Sequence, residues 1–144
     1  MNRTVTATLG VILCAGLAAC GTTNDKDNLA QKTVEYDCDA GSKDLSAQYT
    51  FQGEEALSAR VMFDNQVVDL TRATSSNADM VGNTFRGNGY TWTTEKFTYD
   101  TAGEADGRML TRDSQASYPG AGNQAAQGAA TVVARDCNVK GVRG

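Results

Sequence analysis

Two patterns of apolar residues divide the chain. Val5 to Ala19 is an almost unbroken apolar run without charge, preceded by Met1, Asn2 and Arg3. Its length of about 15 residues falls short of the roughly 20 that span a bilayer comfortably. A positive start, a short apolar middle and small residues at the end describe a secretory signal. From Val34 the period becomes two. Leu45, Ala47, Tyr49 and Phe51 alternate with Ser46, Gln48, Thr50 and Gln52, and Leu57, Ala59, Val61 and Phe63 alternate with Ser58, Arg60 and Met62. Such alternation predicts half-buried strands. Asp64 and Asn65 separate Phe63 from Gln66, Val67 and Val68, and both tolerate the left-handed backbone of a tight hairpin. Gly89 to Tyr99 is rich in aromatic and β-branched residues and predicts another strand. Arg108 to Arg112 and Ala130 to Asp136 predict two more.

No helical stripe follows the first apolar run. Strands recur every 8–14 residues or so, which predicts an antiparallel barrel or sandwich. With about seven or eight strands, closure into a small barrel would remove exposed edges. Gly21 to Thr33 is polar and reads as a tether. Ser114 to Gly128 is poor in large apolar residues and holds the only proline, Pro119. It reads as a long mobile loop between the last two strands. The expected divisions are therefore a signal over 1–19, a tether over 20–33, a barrel over 34–140 and a tail over 141–144.

The end of the apolar run changes the picture. Leu17, Ala18, Ala19, Cys20 and Gly21 resemble a bacterial lipobox. That resemblance implies cleavage before Cys20, a diacylglycerol thioether on its sulfur and a further acyl chain on the new N-terminus. The alternative is an ordinary signal with a cysteine there by chance. Two or more acyl chains hold a protein stably at a membrane, where one does not. Gly21, rather than an aspartate, resembles the address for the outer membrane. Cys14 lies inside the run and leaves with it. Cys38 and Cys137 remain, and in an exported chain they most simply form a disulfide. Free thiols or an intermolecular pair are the alternatives.

The whole chain carries 13 Lys+Arg against 17 Asp+Glu, a net charge of −4. Losing Arg3 makes the mature form about −5. With no basic patch, nucleic acid is not an expected partner, whereas basic partners would be drawn in faster. The chain has no histidine, which removes Ser-His-Asp and Cys-His arrangements, and two cysteines alone do not make a zinc site. The glycine-rich pieces fit neither phosphate-binding nor dinucleotide-binding spacing. Asp100 to Gly107 carries carboxylates near glycines, fails calcium-loop spacing and reads as a solvated hairpin turn. No enzyme activity, cofactor, metal or small-molecule substrate is expected.

Tyr36, Cys38 and Gly41 open the domain and Asp136 and Cys137 close it. This frame resembles the small β-barrel inhibitors of C-type lysozyme. It is still more similar to the adhesin complex protein branch of that group, through Ser76, Asn77 and Ala78 and through the stretch Arg86, Gly87, Asn88, Gly89 and Tyr90. The similarity runs from Val34 to Val139. It implies an eight-stranded antiparallel barrel closed by one disulfide, and a protein that blocks host lysozyme or serves in attachment. In the membrane-bound inhibitors a serine-rich loop and a lysine after a tryptophan meet the two catalytic carboxylates. Here Ser75, Ser76 and Asn77 hold the loop positions, with Asn77 in place of the second serine and Ala78 in place of the glycine. Lys96, on the expected strand that carries Trp92, stands in for the lysine. Read without the resemblance, Ser75, Ser76 and Asn77 are loop polar residues, Trp92 is a core side chain and Lys96 a solvated strand charge. The expected partners are thus a basic C-type lysozyme and a membrane reached through Cys20. An adhesin without inhibitory activity is the runner-up, and a carrier using the barrel interior the third reading.

Overall fold

The computed structural model describes residues 28–73, 82–114 and 130–144. They form eight strands: β1 (Leu29–Cys38), β2 (Lys43–Gln52), β3 (Glu55–Phe63), β4 (Gln66–Arg72), β5 (Asn83–Gly87), β6 (Tyr90–Thr94), β7 (Gly107–Arg112) and β8 (Thr131–Arg143). Each strand pairs antiparallel with the next, and β1 pairs with β8, so the sheet closes on itself as a barrel. The Cys38–Cys137 disulfide ties the end of β1 to β8 across 99 residues of chain. Both turns at Asp64-Asn65 and Asn88-Gly89 have two consecutive positive φ values, the turn whose twist matches the flanking strands.

The period-two expectation holds in β2, where Leu45, Ala47, Tyr49 and Phe51 are all buried. It slips in β3. Ala59, Val61 and Phe63 point inward, but Leu57 is 36% exposed and Ala56 is buried in its place. The cause is a bulge: the register shifts between Thr50 and Phe51, so Phe51 faces Ala56. An extra residue in one strand flips the alternation beyond it.

The barrel extends past the 34–140 span at both ends. Leu29 to Thr33, expected in the tether, pair with Gln52 to Gln48. Thr33 also pairs with Arg143, so the expected tail belongs to β8. Outward positions in a closed barrel need no apolar side chain, and periodicity is weak where the outer residues alone carry the signal. The strand expected over Gly89–Tyr99 is shorter. β6 stops at Thr94, and β5 precedes it across the Asn88-Gly89 turn.

The connection from β6 to β7 is not the solvated turn expected from its carboxylates. Phe97, Ala102 and Ala105 are buried. Phe97 lies 4.7 Å from the Tyr49 ring and 6.0 Å from Phe51, and Tyr99 sits edge-on to Phe51 at 5.2 Å. A small barrel has two open ends, and apolar side chains near an end gain by being covered. This connection covers one of them. Lys32 of β1 holds it in place, donating to the Tyr99 carbonyl and standing 4.0 Å above the Tyr99 ring.

The interior is filled by Tyr36, Tyr49, Phe51, Leu70, Phe85 and Trp92, all with under 2% exposure. Trp92 Nε1 donates to Tyr49 Oη at 2.8 Å, and the hydroxyls of Tyr49 and Tyr36 are 2.9 Å apart. Burial pushes both phenol pKa values up. The indole and phenols thus keep their polar atoms satisfied inside an apolar core, as burial requires. Trp92 is a core residue. A lumen packed this way matches the expectation that eight strands leave little room for a ligand.

Candidate functional site

Strand order decides which connections share an end of the barrel. The β2–β3, β4–β5 and β6–β7 connections lie at one end, together with the start of β1 at Leu29. The β1–β2, β3–β4, β5–β6 and β7–β8 connections lie at the other. Ser75, Ser76 and Asn77 belong to the β4–β5 connection and lie outside the described residues, as do Cys20 and most of the expected loop over Ser114–Gly128.

The stem of the β4–β5 connection is described. Ala73 N donates to Thr84 O at 2.8 Å. Gly82 has φ +123°, and a Cβ there would come within 1.9 Å of the Thr94 carbonyl oxygen. Only glycine permits both the backbone angle and the close approach. Asn83 follows, 1% exposed, with no hydrogen-bond partner for its Nδ2. The stem is therefore locked against the end of β6.

Lys96 lies in the neighbouring connection, two residues past the end of β6, and not on a strand as expected. The backbone on either side of it is fixed. Glu95 N donates to Asp106 O at 2.9 Å, and Asp106 N donates back to Glu95 Oε2 at 3.3 Å. Phe97 is buried in the barrel mouth. Lys96 is exposed between these two anchors. Its exposure therefore follows from the inward turn of Phe97 and not from alternation along β6. β4, β5, β6 and β7 are consecutive neighbours in the sheet, so both connections named from the sequence rise from the same half of one end.

What this end offers chemically is polar contact on a stiff frame. Among the described residues no group of three or more His, Cys, Asp or Glu side chains is arranged to hold a metal ion. Sequence reasoning missed the cover formed by Phe97 and Tyr99. Their aromatic alternation in the stretch after Trp92 carried a signal, but it read as a continuing strand. It also missed β5, although Asn88-Gly89 is the strongest short hairpin signal in a sequence.

Residues 32–139 match the profile of the ACP-like domain. The chain belongs to the ACP-like domain family. A comparison with curated proteins finds no match. The ACP-like domain here begins inside β1 and ends inside β8, and it contains both bridged cysteines. It also spans the β4–β5 connection with Ser75, Ser76 and Asn77, and Lys96 on the next one. Cys20 lies before it.

Proposed function

We propose that the protein is an adhesin-complex-protein-type lipoprotein of the outer membrane, anchored through Cys20, whose barrel binds and inhibits a C-type lysozyme. The observation that carries this reading is the shared origin of two connections. The one holding Ser75, Ser76 and Asn77 leads into β5 and the one holding Lys96 leaves its neighbour β6, at the same end of the ACP-like domain.

A lysozyme cleft carries two carboxylates, one protonated as an acid and one ionised. Hydroxyl and amide groups satisfy the first as acceptors and the second as donors. Lys96 supplies the positive charge that the ionised carboxylate prefers. A hydrogen bond to a charged group in a water-excluded site contributes about 1.5–3 kcal/mol. The disulfide, the Glu95–Asp106 clasp and the glycine-locked stem hold the frame before the partner arrives, which lowers the ordering cost of association. The net negative charge suits a basic enzyme and acts mainly on association rate. The role is binding, with no catalytic step by the barrel.

The test is a lysozyme activity assay with the chain from Gly21 to Gly144. Ser76→Ala together with Lys96→Ala is expected to weaken inhibition about tenfold or more with the barrel still folded. A folded double variant as potent as the wild type would exclude this face. The second reading, an adhesin without inhibitory activity, draws on the same family membership. A wild-type protein that leaves lysozyme fully active decides for it.

A further inference from the structure

The outer wall of the barrel carries a groove of about 570 Å³ at the half away from the β4–β5 and β6–β7 connections. One cross-strand row runs along it. Glu35 pairs with Ser46, Ser46 with Met62, and Met62 with Val67, while Lys140 occupies the bulge of β8 beside Glu35. All of these side chains lie on the outward face. The small Ser46 at the centre leaves the depression. Val67 is 59% exposed and Met62 half-buried, which makes the β3–β4 side of the groove apolar.

The β1–β2 side is acidic. Asp37 and Asp44 face each other directly across the two strands, and like charges so placed repel. Lys140 Nζ lies 3.1 Å from Asp44 Oδ1, and Arg143 pairs with Glu35. Those two pairs cancel. Asp64, which lines the groove, and Asp37, paired across from the lining Asp44, leave this side net negative. An open groove of this volume, apolar at one side and net negative at the other, complements a short segment that is basic at one end and aliphatic at the other.

We infer that this groove is a second interaction surface, which takes a short basic-and-aliphatic peptide segment of a partner protein. The lysine or arginine of the segment lies beside Asp37 and Asp64, the two carboxylates that Lys140 and Arg143 leave uncompensated. Its aliphatic residue covers Met62 and Val67. The surface is at the opposite half of the barrel from the lysozyme-directed end and does not depend on that reading.

The experiment is an NMR titration of the full-length, isotope-labelled chain in detergent micelles. The probe is a hexapeptide that alternates serine with lysine, lysine and leucine; its counterpart has glutamate in place of lysine. The lysine peptide is expected to shift the amides of Ser46, Met62 and Val67 saturably, with a Kd at or below about 1 mM. The glutamate peptide is expected to leave them unmoved. Val67→Lys and Asp64→Asn are each expected to weaken binding about fivefold; the asparagine keeps the left-handed turn that Asp64 adopts. Thr91→Lys adds the same charge on another wall and is expected to change binding less than about twofold. Three results overturn the inference: no saturable shift in the row, an equal response to the glutamate peptide, or a Thr91→Lys loss as large as that of Val67→Lys.

Discussion

Gly107 opens β7 directly beneath the only tryptophan, and replacing it with alanine probes whether the core is as tight as it looks. A Cβ at this position would lie 2.2 Å from Trp92 Cη2, 2.6 Å from Cζ2 and 3.0 Å from Cys137 Cβ. Comfortable carbon–carbon contacts are about 3.5–4.0 Å, so the indole or the strand must move by more than about 1 Å. Neither moves freely. Trp92 is fully buried, packs edge-on to Tyr36 at 5.4 Å and donates to Tyr49. Cys137 is bridged to Cys38. Overpacking of this kind costs about 1–3 kcal/mol. Pulling the indole away from Tyr49 adds about 1 kcal/mol for the lost hydrogen bond and more if a buried polar atom is left unpaired. We expect Gly107→Ala to destabilise the barrel by about 2–4 kcal/mol, a Tm drop of roughly 10–20 °C for a domain of this size. Urea unfolding followed by the fluorescence of Trp92 reads it, with circular dichroism as the second probe. The steric cause has its own signature. Trp92→Phe shortens the ring that Gly107 faces, so the double variant should be more stable than the sum of the singles by at least about 0.5 kcal/mol. Gly53→Ala is the contrast: its φ is +63° but nothing lies within 4 Å of the added carbon, so backbone strain of about 1 kcal/mol is the whole cost. A Gly107→Ala protein within about 0.5 kcal/mol of wild type, or an additive cycle with Trp92→Phe, would refute the reasoning.

Three further outcomes are expected. Tyr36 and Tyr49 resist ionisation because of their burial. Their folded pKa values exceed the unfolded value near 10, so their contribution is complete below about pH 10 and declines as pH rises above it, at about 1.4 kcal/mol per phenol per pH unit. Tyrosinate absorbance from these two should therefore appear together with unfolding, and ionisation of all tyrosines in a barrel with native circular dichroism would contradict it. Replacing Cys38 and Cys137 with alanine releases a loop of 99 residues and should cost about 4–5 kcal/mol in denaturant unfolding; a loss under about 1 kcal/mol would show that the bridge does little. Cys20→Ala should abolish acyl labelling and leave the precursor uncleaved at this site, whereas normal processing with membrane retention would remove the anchor from the proposed function.

The amino-acid pattern alone determined the class of fold. Alternation in Leu45–Phe51 and the Asp64-Asn65 turn specify antiparallel strands, because a closed sheet with one buried face needs side chains inside at every second position. The cysteine pair was legible for a related reason: if export and acylation account for Cys14 and Cys20, as proposed, two sulfurs remain for one bond. Other features depend on contacts between residues far apart in the chain. The bulge that exposes Leu57 and buries Ala56 is set by the pairing of β2 with β3, and no local rule announces it. The strand character of Leu29–Thr33 comes from pairing with Gln48–Gln52 of β2, and that of Gly141–Arg143 from closure against Thr33–Glu35 of β1. Phe97 and Tyr99 have the composition of a strand. They became a cover because the open mouth of the barrel, lined by Tyr49 and Phe51, offered more burial than another turn of ladder. Of the expected site, the residue types could be read along the chain, but the common end of their two connections could not. That depends on the number of strands between them, and only the closed sheet counts those.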